Sequence, residues 1–168
     1  LEHQMKINKD LNALIEREFI TIFGSIFEKS EWIAAETFRQ KPFENFKDLV
    51  NKMVGVYESC SVDKIITILN LHPKLAIENK LTSFSSKEQK EAKLNKCSKK
   101  ELVEFNKLNF DYQKKFQFPF IIAVKGKNKD QILENFKFKI KNNYEKEFQE
   151  AKKQVKKIAL FRLNEISK

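Results

Sequence analysis

Glycine and proline are scarce, with three of each in 168 residues. So little turn chemistry argues against many short strands and for a helix-rich chain. Cysteine is scarce too. Cys60 and Cys97 have neither metal-ligand spacing nor a framework pattern, so they read as thiols of a reducing compartment, and a cytoplasmic protein is expected. No apolar run approaches the roughly 20 residues of a transmembrane helix, and no secretory leader is visible, so no membrane partner is expected. Histidine occurs only at His3 and His72. His3 lies in Leu1-Glu2-His3-Gln4, ahead of a possible start at Met5. Residues 1–4 read as an expression-vector remnant and residues 5–168 as one domain. His72 is then the one native side chain expected to titrate near neutral pH without help. A single histidine cannot build a usual zinc site, so no metal is expected.

What is present is a core. Hydrophobic residues make up 41% of the chain, and sixteen are phenylalanine. The formal charge is +10. That sign raises nucleic acid as a partner, but the lysines are scattered among glutamates. A nucleic-acid surface clusters its charge and favours arginine, so nucleic acid is not expected. The abundance of Lys, Asn, Ile and Phe fits an AT-rich coding bias. Against that bias the three arginines, Arg17, Arg39 and Arg162, each suggest a need for the planar guanidinium fork.

Periodicity predicts an all-α fold: a single-domain helical bundle with one short buried extended segment around 116–124. A first helix is expected from Lys9 to Ile22, with Leu11, Ile15, Phe19 and Ile22 inward. Ser30 can cap a second, carrying Trp32, Ala35 and Phe38 and closed by Pro42. A third spans Phe46 to Glu58 through Leu49, Met53 and Val56. Ser61 can cap a fourth, on which Val62, Ile65 and Leu69 share a face that His72 continues. Pro73 ends it, because the residue before proline is pushed out of the α region. The imidazole should therefore stand inward at the last helical turn. A core histidine bonded to a carbonyl and a functional one both fit.

Ala76 to Phe84 reads as a loop. Ser85 and Glu88 match a capping box, and Ser98 and Glu101 match a second. The helix after Ser98 carries Leu102, Phe105, Asn109, Tyr112 and Phe116. Phe116 to Val124 is apolar but holds Pro119, which opposes a central strand. Its buried backbone groups need partners, supplied by side chains or by a ligand. Asn128 or Asp130 starts a helix with Ile132, Leu133, Phe136 and Ile140, broken at Asn142-Asn143. The last helix has its stripe at Tyr144, Phe148, Ala151, Val155 and Ile158, and Arg162 is next in register. On the buried side Arg162 must meet an acid, carbonyls or an anion. As a snorkelling surface residue it needs none.

Five segments, in order, resemble one family. They are Phe23-Gly24 with Glu28, Ser30 and Trp32; Leu71-His72-Pro73-Lys74-Leu75-Ala76; Leu81-Thr82 with Ser85 and Glu88-Gln89; Phe116-Gln117-Phe118-Pro119-Phe120-Ile121-Ile122; and Lys157-Ile158-Ala159-Leu160-Phe161-Arg162-Leu163. The family is the 2-oxo-4-hydroxy-4-carboxy-5-ureidoimidazoline (OHCU) decarboxylases. The resemblance implies an all-α homodimer with no cofactor, converting OHCU to (S)-allantoin in urate breakdown. A related decarboxylase or ureido-compound enzyme, or a basic helical binding protein, is the alternative. The implied catalytic residues are His72 and Glu88. The implied substrate contacts are Pro73, Ser85, Ser86, Lys87, Gln89, Arg162 and the main chain of Phe120, Ile121, Ile122, Ala123 and Val124. Gln117 stands in place of the family's glycine, Lys74 in place of its aspartate and Lys125 in place of a common arginine. Taken alone, the capping box explains Ser85 and Glu88 without any chemistry.

Overall fold

The computed structural model describes residues 10–77 and 80–168. The expected leader at 1–4 and helix start at Lys9 lie outside the described residues. Among those described there are eight α-helices and no strand, so the fold is all-α. No described helix is long and apolar enough to cross a membrane. The chain divides into two compact units. One takes the described residues up to Ile68 together with Lys156–Lys168, and the other is Leu69–Val155.

In the first unit the expected single helix is broken. A short 3₁₀ turn, Leu11–Ala13, precedes α1, Glu16–Phe23. Lys41 is the physical reason: its Nζ donates to the carbonyls of Asn12 and Leu14, both at 3.2 Å, in place of helical N–H groups. Leu14 is thereby buried while Ile15 is exposed. α1 ends at Gly24, a position that suits glycine because a Cβ there would meet Ile20 O at 2.5 Å. α2, Glu31–Phe38, starts after Ser30, but the Ser30 hydroxyl donates to Glu28 O and does not cap it. α2 buries Ile33, Ala34 and Thr37, and Trp32 lies exposed with Lys64 Nζ 4.9 Å from its ring centroid. α3, Phe46–Glu58, is capped by Asn45 and buries Leu49, Met53, Val54 and Tyr57. Phe19 packs against Phe23, Phe38 and Phe43, and Phe27 against Tyr57. α4, Val62–Asn70, opens on Ser61, whose Oγ accepts from Lys64 N–H. Ile65 and Leu69 are buried, while Val62, expected on their face, is exposed.

The second unit is built on aromatic rings. α5 is Ser83–Glu91 and α6 is Lys99–Phe116. α7 is Lys129–Lys139 and opens on Asn128 in a capping box with Gln131. α8 is Tyr144–Ile166, of which the residues up to Val155 belong to this unit. Tyr112 of α6 lies edge-on to Phe118, Phe120 and Phe136, and Phe120 stacks on Phe136 at 4.0 Å. The Tyr112 hydroxyl donates to Glu147 Oε1 at 2.6 Å, tying α6 to α8. Burial pushes the Glu147 carboxyl above its usual range, against the bonds it accepts from Tyr112 and Asn142. Cys60 and Cys97 are free thiols.

Candidate active site

His72 follows the end of α4, buried at 8% exposure. Its backbone N–H donates to Leu69 O at 3.2 Å, one tight turn beyond the helix, and Pro73 prevents any continuation. The chain then crosses Lys74 and Leu75 to Ala76, whose φ is +68°. That left-handed conformation costs an alanine roughly 1–2 kcal/mol, so other contacts must hold it. Two buried amides do so. Gln89 Oε1 accepts Ala76 N–H at 3.0 Å, and Gln89 Nε2 donates to Lys74 O at 3.4 Å. Asn109 Nδ2 donates to Leu75 O at 3.1 Å. Three successive residues after His72-Pro73 are thus held by side chains of α5 and α6.

α5 corrects the expected cap. Its N-cap is Thr82, whose Oγ1 accepts Ser85 N–H at 3.3 Å. Ser85 is therefore inside the first turn, and the helix starts two residues earlier than the loop reading allowed. The shift has a tertiary cause: it buries Ser85 and, one turn on, Gln89, which reaches the His72 loop. Glu88, half-buried in the body of α5, is left outside the cap. The capping explanation of Glu88 therefore fails. Ser86 and Lys87 are exposed on the same helix.

The extended segment after α6 is buried from Phe118 to Val124. Its Ala123 peptide is held on both sides: the N–H donates to Gln154 Oε1 at 2.9 Å, and the carbonyl accepts from Lys127 Nζ at 3.1 Å. Gln154 Nε2 in turn donates to Glu150, which pairs with Lys139. The backbone groups of Ile121 and Ile122 make no hydrogen bond to described residues. Both side-chain and ligand readings of this stretch thus keep a place, at different residues. Asn109 and Tyr112, one turn apart on α6, touch the His72 loop and the segment respectively. His72, Pro73, the residues 85–89 and the residues 120–124 therefore share one unit.

Arg162 belongs to the other unit. It is 2% exposed, so the snorkelling reading fails. Its Nη2 donates to Glu28 Oε2 at 3.0 Å, and its Nη1 to Ser25 O at 3.2 Å and Ile26 O at 3.3 Å. Of the alternatives open to a buried arginine, it meets an acid and carbonyls. Sequence reasoning gave no role to Glu28, Asn109 or Gln154. The available signals were a glutamate inside a matching motif and two amides on otherwise apolar stripes. Among the described residues, no three His, Cys, Asp or Glu side chains are placed to hold a metal ion.

The profile of the family described as OHCU decarboxylase matches residues 12–164. A uric acid degradation bifunctional protein of Bacillus sp. (strain TB-90) is 41% identical over 94% of this chain and 32% of its own length. The chain thus spans about a third of that bifunctional relative. A 2-oxo-4-hydroxy-4-carboxy-5-ureidoimidazoline decarboxylase of Halalkalicoccus jeotgali is 33% identical over 95% of this chain and 90% of its own. Among solved structures, an (S)-allantoin synthase superposes with a TM-score of 0.72 at 29% identity, covering 94% of this chain and 53% of the other. With nearly its whole length matched by one family profile, this chain belongs to the OHCU decarboxylase family.

Proposed function

We propose that the protein decarboxylates 2-oxo-4-hydroxy-4-carboxy-5-ureidoimidazoline to (S)-allantoin, using no metal or organic cofactor. The observation that carries this is a buried histidine whose following loop is held by two buried amides, beside a helix whose Glu88 is not spent on capping. The reaction breaks the bond between the ring and its carboxylate. Carbon dioxide leaves, and the electron pair enters the conjugated ring, so the substrate is its own electron sink. The ring nitrogen that receives the pair takes up one proton. The hydroxyl then gives up its proton as its carbon becomes a carbonyl, and a second proton is delivered to one face of the neighbouring ring carbon.

His72 is assigned to that proton traffic, a role worth about 10²–10⁴-fold. Glu88 is assigned to orient the ureido and ring N–H groups. The main chain of Ile121 and Ile122 supplies unspent donors and acceptors for the ring, and Pro73, Ser85, Ser86, Lys87, Gln89, Phe120, Ala123 and Val124 complete the contacts the resemblance implies. Arg162 holds Glu28 and the carbonyls of Ser25 and Ile26, and the resemblance adds an anionic or carbonyl oxygen of the substrate to its assigned partners. The protein is proposed to work as a cytoplasmic homodimer.

The test is to supply freshly made urate-oxidase product and follow optically active allantoin, with and without prior dialysis against a strong chelator. Enantiomerically pure allantoin at equal rates supports the reading. No acceleration over the spontaneous reaction, or a loss on chelation restored by metal, sinks it. Sedimentation at working concentration tests the dimer.

A further inference from the structure

Asn109 is buried at 3% exposure on α6, on the stripe that also buries Phe105 and Tyr112. Its Oδ1 is the one fully buried side-chain polar atom among the described residues that meets no hydrogen-bond partner. The other end of the amide does have a partner: Nδ2 donates to Leu75 O at 3.1 Å. Leu75 lies in the turn between Pro73, with its ring-fixed φ, and Ala76 in the left-handed region at φ +68°. Gln89 holds Lys74 and Ala76 on either side of it. Without Asn109 the middle carbonyl of the turn would lose its donor, and the turn its third restraint. The amide oxygen is then what must be buried to place the amide donor.

We propose that Asn109 is a positioning residue for the reaction: by holding Leu75 O it fixes the turn after His72, and with it the direction of the imidazole. The inference rests on the reading of His72 as the group that handles the proton. Asn109 acts through His72 and through the rate of the chemical step. It does not act through substrate affinity.

The experiment compares wild type with Asn109→Leu, which keeps size and removes the donor, and with Asn109→Ala should the leucine variant fail to fold. Two quantities are measured. One is kcat and KM on freshly generated substrate. The other is the ring-nitrogen NMR spectrum of His72 in substrate-free protein over pH, assigned with a His72→Asn control. The expected result is a fall in kcat of about tenfold or more with KM within about threefold, together with a changed titration midpoint or tautomer balance at His72. A folded variant with wild-type kcat overturns the proposal. So does an unchanged His72 spectrum, since Asn109 would then act elsewhere. Should wild type itself show no turnover, the functional reading falls. The His72 spectrum still decides whether Asn109 sets the imidazole: a change supports that and no change overturns it.

Discussion

Helices α5 and α6 both open on a hydroxyl side chain and differ in what stands three residues later. In α6 that residue is Glu101. Its N–H donates to Ser98 Oγ at 3.1 Å, its Oε1 accepts Ser98 N–H at 2.9 Å, and the same oxygen pairs with Lys129 at 3.1 Å. These partners hold the Glu101 carboxyl below its usual range, the backbone bond from Ser98 first. In α5 the third residue is Ser85, whose N–H donates to Thr82 Oγ1, and the acid comes at Glu88 in the body of the helix. One glutamate is consumed by a helix end. The other is not, and it shares its helix with Gln89, which holds the His72 loop. A pattern that is identical on paper is a capping box at one place and lies inside a helix at the other.

The sharpest way to break this comparison is at the loop itself. His72→Asn should lower turnover by about 10²–10⁴-fold while helix content by circular dichroism stays unchanged. Wild-type turnover would reduce His72 to a core residue. Next, Glu88→Ala should lower kcat/KM by roughly ten- to a hundredfold, with unfolding free energy within about 0.5 kcal/mol of wild type. Glu101→Ala should do the reverse, sparing turnover and lowering stability. Because the folded state depresses the Glu101 carboxyl, its contribution is present above its unfolded pKa and fades as pH falls through the folded one. The alanine variant should accordingly lose less on acidification than wild type.

Arg162→Lys sharpens the other unit. Its fork serves Glu28 and two carbonyls at once, which one ammonium cannot reproduce. A loss of about 1.5–3 kcal/mol in unfolding free energy is expected from those bonds, and catalytic efficiency in the allantoin-forming assay reads whether Arg162 also serves turnover. If the lysine variant matches wild type while Arg162→Ala is dead, charge alone is needed. If both match wild type, Arg162 has no part in turnover.

Smaller effects test the caps. Thr82→Ala and Ser98→Ala should each cost about 0.5–2 kcal/mol in chemical denaturation, and only Thr82→Ala should also reduce turnover, since α5 carries Glu88 and Gln89. Equal turnover in the two would erase the contrast between the helices. The smallest effect is expected at Gln117, which closes α6 at φ 63°. Gln117→Gly should raise stability by about 1 kcal/mol, offset in part by the lost bond from its Nε2 to Lys114 O. A drop in stability would show that this bond outweighs the backbone strain.

Sequence alone was enough for what depends on local chemistry and period. α3 runs from Phe46 to Glu58 as expected, because Leu49 and Met53 repeat at helical spacing between a polar start and a serine end. The Ser98 box and the burial of Phe148, Ala151, Val155 and Ile158 on one stripe follow for the same reason, whereas Tyr144, expected on that stripe, is exposed, and the burial of Arg162, which register left open, was decided by folding. The stop at His72-Pro73 is a steric property of two neighbouring residues. Tertiary structure decided what local rules leave equal. Thr82 and Ser85 are both sound caps, and burial of Ser85 and Gln89 chose between them. Lys41 broke a helix that periodicity predicted, by occupying carbonyls from 27 and 29 residues away in sequence. Asn109, Gln154 and Glu28 could not be ranked from the chain. A buried amide or acid acquires a task only through the carbonyl, N–H or guanidinium that folding brings opposite it, and here those partners lie 34, 31 and 134 residues distant.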